Sequence, residues 1–201
     1  MLKEFLSMTK SIDFYFDFVS PYTFLAHKRI REIEKKENIN FVYKPILLGG
    51  LHNLNNIKAA AFIESKRKFV IQDCEMVAKK FNINFKFNDN FPISSLDLMR
   101  GFLITNKELK NKYIDHFFDA YWSLNIDLSN DQNITNVLKK IQINVGTFFK
   151  DIKKQEIKDL LRKLTKEAFD KEIFGAPTFV VNNKLFWGQD RLDFALNEIK
   201  N

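Results

Sequence analysis

The amino-acid sequence predicts an α/β fold of the form βαβ, then a long all-helical block, then ββα. Three observations carry this: an alternating run that ends at Ser20-Pro21, a middle from Gly49 to about Phe174 that reads as mostly helical, and two short β-rich runs around an asparagine pair near the end.

The elements follow in order. Over 12–19, Ile12, Phe14, Phe16 and Phe18 alternate with Asp13, Tyr15, Asp17 and Val19, the period of two expected of a strand. Ser20 before Pro21 is a helix start: a serine oxygen can accept from the first free amides, and proline at the first helical position gives up no hydrogen bond. The helix is expected over about 21–37, with Leu25, Ile30 and Ile33 on one side, and a second strand over about 40–47. Helices are then expected over 58–81, 94–105, 107–124, 130–141 and 145–171, the last broken once or twice. Ala176-Pro177 leads into a strand at Thr178–Val181, a turn at Asn182-Asn183, a strand at Lys184–Trp187 and a final helix over 191–200. Pro177 is a candidate cis proline, against the alternative of a trans proline opening an edge strand, and cis is expected only on the strength of the fold that this element order suggests.

That order resembles a thioredoxin fold with a large all-helical insertion between the second and third strands. Residues 11–50 and 173–201 would form the thioredoxin-like domain, and 51–172 the helical insertion subdomain. The cleft between them is the default binding site.

At 201 residues, 45% hydrophobic and 28% charged, the chain is globular in composition. No apolar run is long enough to span a bilayer, and residues 1–10 lack a leader pattern, so no membrane partner and a cytoplasmic location are expected. A single cysteine, Cys74, rules out an internal disulfide or a dithiol redox centre in the chain alone, and its spacing from Val70 and Val77 suits a small buried hydrophobe. The net charge of +7 comes from 32 basic and 25 acidic residues that are interleaved, which suits an anionic small molecule better than nucleic acid. His27, His52 and His116 lack metal-ligand spacing, so no metal is expected. The 22 phenylalanines and the many Asn, Ile and Lys read as compositional bias, and Trp122 and Trp187 as core, with walls of a binding site as the alternative.

The reactive group of such a fold lies at the leading end of the first helix, where free amides and the helix dipole favour an anion. Ser20 stands there. From the local sequence the favoured reading is a helix cap; the alternative is a hydroxyl that donates to a thiolate brought by a ligand. Ala176, before Pro177, would offer backbone groups to an extended peptide. Asp190, near the start of the last helix, could cap it or accept from an ammonium group.

Taken together, DFYFDFVSPYTFLA from Asp13, FPISSLDLMR from Phe91, AYWSLNIDLSN from Ala120 and FGAPTFVVNNKLFWGQDRLDF from Phe174 resemble the 2-hydroxychromene-2-carboxylate isomerase family, relatives of kappa-class glutathione transferases and DsbA-like proteins. The resemblance implies glutathione as cosubstrate and Ser20 as the catalytic residue that activates its thiol. It implies that Ala176 and Pro177 bind the cysteinyl part, that Gln189 and Asp190 hold the γ-glutamyl end, and that Lys66 pairs with a ligand carboxylate. The family's Thr-Gly-Asn after the second strand is replaced by Leu54, Asn55, Asn56, Ile57, where Asn56 takes the asparagine's place after a shift of one residue. The implied activity is a glutathione-dependent cis/trans isomerisation of a small carboxylate substrate, in a homodimer. A kappa-type transferase or peroxidase, or a noncatalytic thioredoxin-like binding module, are the alternatives.

Overall fold

The computed structural model describes residues 10–200; the expectation that the extreme N-terminus carries no leader lies outside them, except at Lys10. β1 (Lys10–Phe16) leads through a turn into α1 (Pro21–Lys36) and β2 (Ile39–Pro45). The insertion holds α2 (Leu48–Leu54), a 3-10 turn at Ala60–Phe62, α3 (Glu64–Lys80), α4 (Leu96–Ile104), α5 (Lys107–Trp122), α6 (Asp131–Lys140), α7 (Val145–Asp151) and α8 (Gln155–Asp170). β3 (Thr178–Val181), β4 (Lys184–Trp187), a 3-10 turn at Gln189–Arg191 and α9 (Leu192–Lys200) close the chain.

The four strands lie in the order β2-β1-β3-β4. β1 runs parallel to β2, with Phe14 opposite Tyr43, and antiparallel to β3, with Phe14 opposite Phe179. β3 pairs antiparallel with the edge strand β4 through the Asn182-Asn183 turn, whose residues stand at φ 50° and 62°. Both positive angles suit the tight turn that matches the twist of a hairpin. The same left-handed conformation occurs at Asn56, Asn82 and Asn125, each just after or between elements.

The alternation in β1 decides what covers each face. Ile12, Phe14 and Phe16 are fully buried in the main core with α1, α4, α5 and α9, where Phe16 meets Phe102 at 5.0 Å and Phe18 meets Phe118 at 4.8 Å between ring centroids. Tyr15 points to the opposite face and packs with Ile46, Leu51, Ala168 and Ile173, so α2 and α8 cover that side. α4 can approach α5 and α7 closely because Gly101 carries no Cβ, which would otherwise collide with the Tyr113 hydroxyl and the Phe148 ring.

Three boundaries differ from expectation. The first strand stops at Phe16, because Asp17 turns the chain by accepting from the Val19 N–H at 3.1 Å. The helix expected from 58 starts at Glu64, after the 3-10 turn. α2 was not expected as a separate helix, whereas the single break between α7 and α8 agrees with the expectation for 145–171.

Candidate functional site

The site is built around the turn between β1 and α1. Asp17 is wholly buried; its carboxyl accepts from the Val19 N–H at 3.1 Å, from the Leu48 N–H at 2.7 Å and from the side chain of Ser95. Burial nevertheless dominates and holds the Asp17 carboxyl above the usual carboxylate range. Its backbone carbonyl accepts from the Ser20 N–H at 3.2 Å, and Trp122 Nε1 donates to the Phe18 carbonyl at 2.8 Å. The turn is thus fixed by α2, α4 and α5 before Ser20 is reached.

Ser20 is the N-cap of α1. Its Oγ accepts from the Thr23 N–H at 3.2 Å and donates to the Ala176 carbonyl at 3.0 Å. Capping is therefore one of two things the hydroxyl does, and the other joins the leading end of α1 to the segment before β3. The Ala176-Pro177 bond is cis, as is Phe91-Pro92. Among the described residues the Ala176 N–H has no hydrogen-bond partner. The Pro177 carbonyl accepts from the Gly188 N–H at 2.9 Å, which seats the Gln189–Arg191 turn against the same segment.

That turn is also tied to α1. Arg29 donates through Nη1 to the Gln189 carbonyl at 3.2 Å and through Nη2 to Asp193 at 2.6 Å, with its guanidinium 4.1 Å from the centroid of the Phe81 ring. The Gln189 side chain is buried and its Oε1 has no partner, while Asp190 beside it is exposed and 3.5 Å from Arg191 Nη2. Tyr22, the second residue of α1, bonds Asp73 of α3; burial, this bond and the charges of Asp73 and Asp190 push the phenol well above its ordinary pKa, so it stays protonated.

The structure therefore brings together Ser20, Ala176, Pro177, Gln189 and Asp190. Lys66 is exposed on α3, on the face of Asp73 but two turns away, about 10 Å along the axis. Asn56 is exposed at φ 55° just past α2, its N–H donating to the Asn53 carbonyl at 3.3 Å. Neither touches the Ser20 group. Cys74 is fully buried, and burial pushes its thiol up. His52 belongs to α2, and burial lowers its imidazole pKa.

Trp122 is core, but Trp187 is not: it is 54% exposed and packs on Phe174 at 4.9 Å between centroids. Its indole nitrogen would lie 2.5 Å from a Cβ at Gly175, so the ring stands as a wall next to Ala176. The reason is topological, since β4 is the edge strand and its outward residues have nothing to pack under. Asp17, Tyr22, Arg29 and Asp73 were missed by sequence reasoning. Only Asp17 and Tyr22, flanking Ser20, carried a signal of position; the other two reach the site from distant turns.

Three comparisons bear on this arrangement. Over 193 residues, 93% of this chain and 96% of the relative, the sequence is 24% identical to 2-hydroxychromene-2-carboxylate isomerase of Sphingobium xenophagum. It is 20% identical over 197 residues to glutathione S-transferase kappa 1 of Rattus norvegicus, covering 90% of this chain and 87% of the relative. A solved structure of 2-hydroxychromene-2-carboxylate isomerase superposes with a TM-score of 0.87 at 23% identity, covering 94% of each chain, a likeness of fold. The family model for the DSBA-like thioredoxin domain matches residues 11–200, and the chain belongs to that family.

Proposed function

We propose that this protein is a glutathione-dependent cis/trans isomerase resembling 2-hydroxychromene-2-carboxylate isomerase, with Ser20 as the catalytic residue. The observation that carries the reading is the Ser20 hydroxyl, held at the leading end of α1 and 3.0 Å from the Ala176 carbonyl, in a chain whose only cysteine is buried elsewhere. The nucleophilic sulfur must then come with a ligand.

The residues present fit glutathione. An extended peptide finds an unpaired Ala176 N–H and a carbonyl that Ser20 can release by turning its proton toward a sulfur atom. The unpartnered Gln189 Oε1 and the Asp190 carboxylate suit an ammonium group. On this reading Lys66, exposed on α3, would pair with a ligand carboxylate and Asn56 would stand in for the family asparagine, both reached by the ligand across the cleft between 11–50 with 173–201 and the insertion at 51–172. When bound, glutathione supplies a thiolate that adds to one end of a substrate double bond and leaves again, so that the bond can rotate in between. Ser20 keeps that sulfur ionised. Lowering a thiol from about 8.5 to roughly 6.5 needs about 2.7 kcal/mol of preference for the anion. A hydrogen bond to a charged group contributes about 1.5–3 kcal/mol and a helix terminus about 0.3–1 kcal/mol, which suffices.

The isomerase relatives support an isomerisation as the net reaction, and the positive net charge suits a carboxylate substrate. The kappa transferase relatives support a second reading, in which glutathione is consumed; product analysis separates the two. The resemblance also carries the homodimer, and the single cysteine, Cys74, suits a reducing, cytoplasmic compartment. Ser20→Ala tests the mechanism. The pKa of the bound thiol, followed by thiolate absorbance, should rise by about 1 to 2 and glutathione-dependent turnover should fall about 10- to 100-fold. If both are unchanged, Ser20 does not activate the thiol.

A further inference from the structure

A cavity lies between α2, α4 and α8. It has a volume of about 810 Å³, within the range of small-molecule sites, and contains none of Ser20, Ala176, Gln189 or Asp190 in its wall. Its floor is apolar, made by Leu47, Leu54, Leu96 and Leu161 around Gly50. The one buried hydroxyl there is already committed, since Thr165 Oγ1 accepts from the Leu47 N–H and donates to the Leu161 carbonyl, both at 2.9 Å. Water has little to bond to on such a floor.

The wall is charged with one sign in excess: Arg100, Lys158, Arg162, Lys163 and Lys166 against Asp159. Most of these are paired along α8, Arg162 with Asp159 at 2.7 Å, Lys163 with Glu167 at 3.7 Å and Lys166 with Asp170. The Lys158 side chain has no hydrogen bond or ion pair among the described residues, and Arg100, with its side chain only 16% exposed, has one long ion pair, 3.7 Å to Asp97 through Nη1. The Nε of Arg100 is buried without a partner. A mostly buried guanidinium with an idle N–H, above an apolar floor, is matched by a planar anion attached to an apolar body.

We propose that the cavity between α2, α4 and α8 binds a second ligand, a monocarboxylate on an aliphatic or aromatic body. The carboxylate pairs with Arg100, assisted by Lys158, and the body lies over Leu47, Leu54, Leu96 and Leu161. This site is separate from the Ser20 reading and stands whether or not glutathione binds.

The test is isothermal titration of the full chain with decanoate and with its neutral counterpart decanol. Decanoate should bind at least tenfold more tightly than decanol, and Ser20→Ala should leave its affinity unchanged. Arg100→Met should remove the preference for the anion. Gly50→Leu provides a second variant, because a Cβ at Gly50 meets Leu47 and Thr165 only at ordinary contact distances of 3.6 Å or more and the longer side chain then takes up the part of the apolar floor where the ligand body would lie. It should weaken both probes at least tenfold while the melting temperature is held. Equal affinity for the two probes, an undiminished anion preference in Arg100→Met, or loss of binding in Ser20→Ala would each overturn the proposal. So would absence of heat with decanoate, including the case where Gly50→Leu instead alters sedimentation because a second copy covers this surface.

Discussion

Gly188 stands at φ 109° and ψ 152°, a backbone region almost closed to residues with a Cβ. The position is constrained twice, since a Cβ there would also lie 2.5 Å from Asp190 Oδ1. Gly188→Ala should therefore cost about 1–3 kcal/mol in stability and displace the Asp190 carboxylate. Calorimetry should show a lower melting temperature together with weaker glutathione binding, while the pKa of whatever thiol does bind stays that of wild type. An unchanged affinity would remove Asp190 from the ligand site. At this scale the sequence was most readable where one residue does a local job. Ser20, Pro21 and the Asn182-Asn183 turn act on their own neighbours, so spacing and residue type identify them. The Ser20 contact with Ala176, across 156 positions, could be named only through a fold resemblance. The orphaned Gln189 Oε1 depends on what surrounds it and leaves no local trace.

Between elements, the junction of α1 with β2 and α5 rests on a polar cluster inside the core. His27 is buried against the Phe118 ring, with Nδ1 2.9 Å from the Tyr43 hydroxyl and Nε2 2.8 Å from Asp115 Oδ1, and Arg31 Nε also donates to Asp115 at 2.8 Å. Burial outweighs the pull of Asp115 and lowers the imidazole pKa, so the neutral ring accepts from Tyr43 and donates to Asp115. A depressed folded pKa means that the contribution to stability is complete above the unfolded value, about 6.5, and is lost as pH falls through it toward the folded pKa. Urea unfolding across the mildly acid range should show stability declining below about pH 6.5, with His52 adding to the same slope. His27→Gln should flatten it in part; an unaltered slope would mean that the ring titrates normally in the fold. Element order was legible because strand and helix periods differ and the runs are long. α2 was not, because Gly49 and Gly50 are poor helix formers and the first turn is held by the distant Asp17 carboxyl.

Across the whole molecule, the principal core is continuous from the sheet into the insertion: Phe14, Phe16 and Phe18 share it with Phe102, Tyr113, Phe117, Phe118 and Trp122. The insertion buries its aromatic face on the sheet and, among the described residues, has no separate core of comparable size. Scanning calorimetry should therefore give one transition whose calorimetric and van't Hoff enthalpies agree. Two resolved transitions would mean that residues 51–172 unfold alone. The left-handed asparagines give a different reason to look again at composition. With only six glycines in 201 residues, the chain assigns Asn56, Asn82, Asn125, Asn182 and Asn183 to corners where glycine is the usual occupant. What looked like a genome's background taste for one codon is in these places a geometric requirement. A redesign that thins out asparagine should spare these five or hand them to glycine, and never to valine or isoleucine.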